Sequence, residues 1–282
     1  MTTEGLMDHI ARTPVIPDSL AIWGMGQMGA AVKGPDAVAF FDLCLSNIVE
    51  EVSGSWWSRA YPPPALPETL RGHFTFITHE HLDHLDTQTV KPLAQANPEM
   101  RFIAPGWCRQ ILLDLGIASE RIIIPQALAP MTLPGTSLRF TAIPAAHYEK
   151  EYDEEKGYRW FGYIVEWNGV TFYHAGDTIM FPDYVHMLAM LPKADVALIP
   201  VNGRDYYRET DANATGNLLP FEAARLCLDA GWDLVIPGHN DLYPNNTIPF
   251  SEIVHALNTV SPRQKYKILQ PGELLYYVKA NG

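Results

Sequence analysis

The chain has 282 residues, with 20 Lys+Arg against 32 Asp+Glu and a formal net charge of −12. With 47% hydrophobic and 18% charged residues it has material for a large core and is no disordered tail. The acidic balance argues against nonspecific nucleic-acid binding and against adhesion to an anionic membrane, but leaves a small anionic substrate open.

Near the N-terminus, MTTEGLMDHIART lacks the apolar stretch of a signal peptide, and no run along the chain reaches the length of a membrane span. Three cysteines without C-x-x-C spacing (Cys44, Cys108 and Cys227) fit reduced thiols in a cytoplasm. Residues Gly24-Met25-Gly26-Gln27-Met28-Gly29 match the letters of a dinucleotide-binding loop. That use requires a helix of several turns after the third glycine. Gly34-Pro35 would break such a helix at once, and Ala37–Asp42 reads as a strand. The segment therefore predicts a β-hairpin.

Further strands are expected at Phe74–Thr78, Arg101–Ala104, Arg121–Ile124 and Leu138–Ile143. Phe161–Trp167 and Val170–His174 flank Asn168-Gly169, the pair favoured in a two-residue hairpin turn. Val196–Val201, Leu234–Pro237 and Leu274–Val278 complete the set. Helices are expected at Gln88–Gln95, Trp107–Leu115, Asp183–Leu191, Pro220–Ala230 and Ile248–Leu257. In the fourth, Phe221, Ala224, Leu226 and Leu228 supply the apolar face and Gly231 the stop. Tyr61-Pro62-Pro63-Pro64 and the charged run Glu149–Lys156 read as loops inside one domain spanning residues 1–282. Hairpins interleaved with single helices predict sheets covered by helices.

The informative stretch is Thr78-His79-Glu80-His81-Leu82-Asp83-His84-Leu85-Asp86, directly after an apolar strand. So many imidazoles and carboxylates at one strand end carry a solvation cost that bound cations would offset. Alternation sends His79 and His81 the same way, and a turn brings Asp83 and His84 to a neighbouring position. Two ligand pairs suggest two metals, and His/Asp ligation suits Zn, Mn or Fe. More candidate ligands follow predicted strands: His147, Asp177 and His239, each beside small residues. Asp177, a carboxylate, is able to bridge two cations.

His79-x-His81-x-Asp83-His84, followed by His147, Asp177 and His239 in that order, resembles the metallo-β-lactamase-fold superfamily of metal-dependent hydrolases. Within it, the stretch at 78–86, Tyr173-His174-Ala175-Gly176-Asp177 and Ile236-Pro237-Gly238-His239 look most like the L-ascorbate-6-phosphate lactonase branch. The resemblance implies an α/β (α+β) fold, a four-layer αββα sandwich with metals at one edge of the two sheets. It places His79, His81 and His147 on one metal, Asp83, His84 and His239 on a second, and Asp177 between them. The cofactors implied are two divalent ions, Mn or Zn, with Fe possible.

Two such ions would lower the pKa of a bridging water enough for attack on a lactone carbonyl or a phosphorus centre. Asp83, or a metal-bound water, is the candidate proton donor to the leaving oxygen. His174 is read either as a donor to the Asp177 carboxylate or as a core histidine, and Glu80 and Asp86 as possible orienters of ligand imidazoles. Arg204, Tyr206, Tyr207 and Arg208 are candidates for binding a phosphate or carboxylate, against a plain exposed loop. Trp56 and Trp57 are candidates for burial, a substrate-side wall or a contact between copies. His9, His73, His186 and His255 lack ligand-like company and read as structural or surface residues.

The expected function is hydrolysis of a sugar-derived lactone, with or without a phosphate, by a cytoplasmic enzyme with no nucleic-acid or membrane partner. A phosphodiesterase or RNA-processing nuclease of the same fold is the alternative, weakened by the acidic charge. A di-iron oxidoreductase stands further off, because this length leaves no room for a flavin partner domain.

Overall fold

The structure is a computed structural model that describes residues 5–211 and 214–280. The first half carries α1 (Leu6–Arg12), β1 (Ser19–Gly26), β2 (Gly29–Lys33), β3 (Val38–Phe41), α2 (Ile48–Ser53), β4 (Phe74–Phe76), α3 (Thr87–Ala96), β5 (Arg101–Ile103), α4 (Arg109–Asp114) and β6 (Ile122–Ile123). The second half opens with β7 (Met131–Thr132), β8 (Arg139–Pro144), β9 (Tyr152–Asp153), β10 (Gly157–Tyr158), β11 (Phe161–Trp167) and β12 (Val170–His174). It continues through α5 (Tyr184–Ala189), β13 (Val196–Pro200), α6 (Tyr206–Thr210), α7 (Pro220–Ala230), β14 (Leu234–Gly238), α8 (Phe250–Val260), β15 (Lys265–Tyr266) and β16 (Leu274–Val278).

Two seven-stranded sheets result, ordered β16-β1-β2-β3-β4-β5-β6 and β15-β14-β13-β12-β11-β8-β7. Both are mixed: hairpins join antiparallel strands on one side, and helical crossovers join parallel strands on the other. Alternation along β1 divides its side chains between two cores. Leu20 and Ile22 join Phe41, Phe76, Phe140 and Phe172 in the core shared by both sheets. Ala21 and Trp23 face outward, into a layer with Val90 and Leu93 of α3 and Leu112 of α4. The second sheet is covered likewise, with Ile164, Tyr173 and Ile199 packed on α5, α7 and α8. The order of layers is helix, sheet, sheet, helix: the metallo-β-lactamase fold.

The predicted β11–β12 hairpin forms at the expected boundaries, with Asn168 and Gly169 at φ of 51° and 79°, the left-handed pair of a type I′ turn. The glycine-rich segment is the β1–β2 hairpin, with Gln27 and Met28 at its tip. Two expectations are corrected. Glu149–Lys156 is not plain loop, because β9 within it pairs with β10. The buried face of α7 is Ala223, Ala224, Leu226 and Cys227, whereas Phe221 and Leu228, seven residues apart on the opposite face, are exposed. Among the described residues, no helix is long and apolar enough to cross a membrane.

Candidate metal centre

Strands β8, β12, β13 and β14 all run in one direction, so the segments after them leave one edge of their sheet. His147 follows β8, Asp177 follows β12 and His239 directly succeeds β14. The facing sheet contributes the segment after β4, residues 77–86. Within it, His81 O accepts from the backbone N–H of His84 at 2.9 Å and of Leu85 at 2.7 Å, the tight turn that returns Asp83 and His84 beside the earlier histidines. Gly176 lets the two sheets meet here. It has φ of 61°, and a Cβ on it would lie 2.6 Å from Phe161 O and 2.8 Å from Thr78 Cβ.

Asp177 is the hub. Its carboxylate oxygens lie 3.2 Å from His84 Nε2, 3.2 Å from His239 Nε2 and 3.6 Å from His147 Nε2. Asp83 Oδ2 lies 3.2 Å from His239 Nε2 and 3.5 Å from His84 Nε2. One donor atom from each of Asp83, His84 and His239 falls within 4.8 Å of the others, and the same holds for His79, His84 and Asp177. His84 therefore belongs to both groups, whereas the family resemblance assigns it to one. The rings of His79, His81 and His147 cluster beside them, with centroids 4.7 Å (79–81), 5.3 Å (81–147) and 6.0 Å (79–147) apart. The buried Trp160 ring contacts all three, at 4.9, 5.2 and 5.1 Å.

The electrostatics divide the cluster. Burial alone would raise Asp83 and Asp177, but the imidazoles of His84 and His239 outweigh it and hold both carboxyls below the usual range. In return the carboxylates overcome the burial of those two imidazoles: His84 is raised, and His239 is pushed up to about 9. Burial holds His79 and His147 neutral, His147 down to about 3, so their nitrogens keep free lone pairs. His79 Nε2, His84 Nε2 and Asp177 Oδ1 are all buried without a hydrogen bond. Neutral His79 and His147 beside ionised Asp83 and Asp177, with buried donor atoms left over, suit a divalent cation, which on binding would displace the protons of His84 and His239.

The beta-lactamase superfamily domain matches residues 45–240. A UPF0173 metal-dependent hydrolase of Sulfurisphaera tokodaii is 31% identical over 202 residues, covering 70% of this chain and 77% of that one. This chain belongs to the beta-lactamase superfamily, among the UPF0173 metal-dependent hydrolases. A second relative of that family, from Methanoculleus marisnigri, is 29% identical over 220 residues, covering 74% and 82% of the two chains. Among solved structures, a metallo hydrolase of Ignicoccus hospitalis superposes with a TM-score of 0.68 at 18% identity, over 93% of this chain and 100% of that one, a likeness of fold.

In this UPF0173 chain the candidate ligands are supported by residues that the sequence pattern does not flag. Asp42, just after β3, accepts from Thr78 N at 2.8 Å and Thr78 Oγ1 at 2.6 Å, and lies 2.7 Å from His84 Nδ1. It thereby turns His84 Nε2 toward the cluster. Gln27 Nε2, at the hairpin tip, donates to Asp83 Oδ2 at 2.8 Å and lies 3.1 Å from His239 Nε2. Asp241 in turn accepts from Gln27 N at 3.0 Å and from Tyr61 Oη at 2.7 Å. The glycine motif thus serves the centre through the residue between its glycines. Asp42 follows an ordinary strand and had no local signal. Gln27 had one, because a polar side chain between close-packing glycines is costly unless it has a partner.

Of the two readings open for His174 the core one fits, and the expected roles of Glu80 and Asp86 are corrected. His174 is buried, with Nε2 2.8 Å from Met28 O and Nδ1 accepting from Gly176 N at 3.2 Å, so it ties the β1–β2 turn to β12 and makes no bond to Asp177. Asp86 caps α3, accepting from Gln88 N and Thr89 N, and also holds Leu45 N and Ser46 N. Glu80 pairs with Arg159 at 2.6 Å. Neither carboxylate orients an imidazole.

Of the proposed substrate residues, Arg204 forms a two-pronged pair with Glu222 at 2.7 Å on each prong. Arg208 pairs with Asp205 and anchors a buried chain, Asn246–Asn202–Asn217, which ends on Thr178 N next to Asp177. Tyr206, 81% exposed, and Tyr207 project from α6 into solvent. None of the four lines the cavity over the cluster, a space of about 580 Å³ bounded by His81, Asp83, His147, Asp177 and His239. Trp57 lines it, and Trp56 is exposed outside it.

Proposed function

We propose that this chain is a binuclear hydrolase that opens a lactone. The observation that carries the reading is Asp177, whose two oxygens stand between the imidazoles of His84, His147 and His239. His79, His81 and His147 would hold one divalent cation, Mn or Zn, and Asp83, His84 and His239 the other, with Asp177 between them. Bound there, the cations would supply Lewis acidity and a hydroxide nucleophile near neutral pH.

The rest of the chemistry belongs to side chains on view. Asp42 and Gln27 fix the orientation of His84, Asp83 and His239, so the site is organised before substrate arrives. Trp160 closes the buried side of the three-histidine group and excludes water there. Asp83 and Asp177 both line the cavity. Asp83, held ionised beside His84 and His239, is assigned to take up the proton that the attacking water releases and hand it to the departing alkoxide, which a lactone retains on the product as its hydroxyl.

Metal analysis of purified protein, coupled to turnover of a lactone set and of bis(p-nitrophenyl) phosphate, tests this. Two ions per chain and lactone opening are expected. One ion or none would refute the binuclear centre, and phosphodiester cleavage without lactone turnover would move the protein to the phosphodiesterases. His81→Ala should abolish turnover while leaving the circular dichroism spectrum unchanged.

A further inference from the structure

Besides the clustered histidines and carboxylates and the polar Thr215 and Asn246, the cavity is lined by Val49, Trp57, Leu82 and Ala214 and by the exposed Ser53. Three of these belong to one apolar cluster: Val49 is packed with Cys44, Ile48, Leu242 and Tyr243, and Trp57 and Leu82 lie against it. The Trp57 ring is braced edge-on to the buried Tyr243 ring, with centroids 5.6 Å apart, so the wall has a fixed shape. Glu80 is the one charged side chain of the lining besides the histidines and aspartates of the cluster, and no Lys or Arg is among the described lining residues.

The cations around the cavity have other partners. Arg159 is shared by Glu80 and Glu151 and sits over the Trp160 ring. Arg204 is paired with Glu222, and Arg208 with Asp205. Arg59, two residues beyond Trp57, donates Nη1 to Cys44 O and Ser46 O at 2.9 Å each, behind the wall. A phosphate or carboxylate on the far end of a substrate would leave water for apolar side chains without a counter-charge, in a protein of net charge −12.

We infer that the cavity takes an uncharged substrate with an apolar substituent, which lies along Trp57, Val49 and Leu82 while the scissile carbonyl faces the ligand cluster. The inference rests on the metal-hydrolase reading above and replaces the phosphorylated sugar lactone expected from sequence. Trp57 is its specificity-determining residue. Each methylene laid on such a wall tightens binding by about fourfold when fully buried.

Three hydroxamates share a metal-seeking head and differ in the tail: acetohydroxamate, octanohydroxamate and suberic monohydroxamate, whose tail ends in a carboxylate. Their dissociation constants, measured by calorimetry on the metal-loaded full chain, separate the possibilities. Octanohydroxamate should bind at least ~10-fold more tightly than acetohydroxamate, and suberic monohydroxamate more weakly than octanohydroxamate. Trp57→Ala should remove most of the gain from the longer tail. Ser53→Arg, at an exposed position on the cavity edge, should improve the carboxylate-tailed probe selectively.

Equal affinity for the short and long tails, or tightest binding of the carboxylate tail in the unaltered protein, would overturn the inference. The second result would point to Arg59, whose Nη2 is buried without a hydrogen-bond partner. If none of the three heads binds protein shown to contain metal, the metal-centred reading itself fails, and this inference with it.

Discussion

At the scale of single residues, the centre depends on polar side chains that ligate nothing themselves. From the tip of the β1–β2 hairpin, Gln27 reaches Asp83 of its own sheet and His239 of the facing one. Gln27→Ala should leave the fold intact and weaken metal binding by about 10–100-fold, the usual cost of losing an outer hydrogen-bond partner; competition against a fluorescent chelator would read it. His174 provides the contrast. Its bonds go to Met28 O and Gly176 N, so His174→Phe should cost about 1–3 kcal/mol in denaturant unfolding while the metal content stays at the unaltered value. A loss of metal without a loss of stability would reverse its assignment.

The candidate ligands were legible because H-x-H-x-D-H after an apolar strand leaves few alternatives. Asp42 was not, because it acts on a residue 42 positions away along the chain; Gln27 carried a signal in its glycine setting, but not the identity of a partner 56 positions away. Arg204 and Arg208 misled for a related reason. A sequence shows a positive charge but not the Glu222 or Asp205 that occupies it in the fold.

At the scale of elements, strands read well where a turn or an alternation fixed them. The β11–β12 hairpin carries its own Asn-Gly signal, and β4, β13 and β14 are short apolar runs bounded by polar loops. Two-residue strands such as β9, β10 and β15 exist through pairing alone and had no sequence signature. The apolar stripe of α7 was misplaced because Phe221 and Leu228 outrank the small buried Ala223 and Cys227 on hydrophobicity, while the packing of α5 and α8 against that face selects small side chains.

The β12 exit depends on one backbone position. Gly176→Ala would put a methyl against Phe161 O in a left-handed conformation. We expect a loss of about 1–3 kcal/mol, seen as a lower urea midpoint, together with weaker metal binding as Asp177 is displaced. An unchanged midpoint would show that the segment adjusts at little cost.

At the scale of the whole molecule, the opposite pKa shifts make stability depend on pH in both directions. His239, raised to about 9, holds a proton in the folded protein that an unfolded histidine has already lost, so its contribution is full below about pH 6.5 and fades as pH rises through 9. His79, His147 and His174, held neutral by burial, contribute above about pH 6.5, and that contribution is lost as pH falls through their lowered values. Chelator-treated protein should therefore melt at progressively lower temperature from pH 7 to pH 9, and metal should restore a flat profile by taking the place of the proton. A chelator-treated Tm that stays level to pH 9 would contradict the charge pairing of His239 with Asp83 and Asp177.

The cluster draws His79, His81, Asp83 and His84 from one sheet, and His147, Asp177 and His239 from the other. A cation shared by these groups would act as a clasp across the sandwich. The two halves would then have to release it before they could part. Its main mechanical effect would fall on the rate of opening, slowing escape from the native state more than it speeds assembly, because the full ligand set comes together only once the sheets have docked.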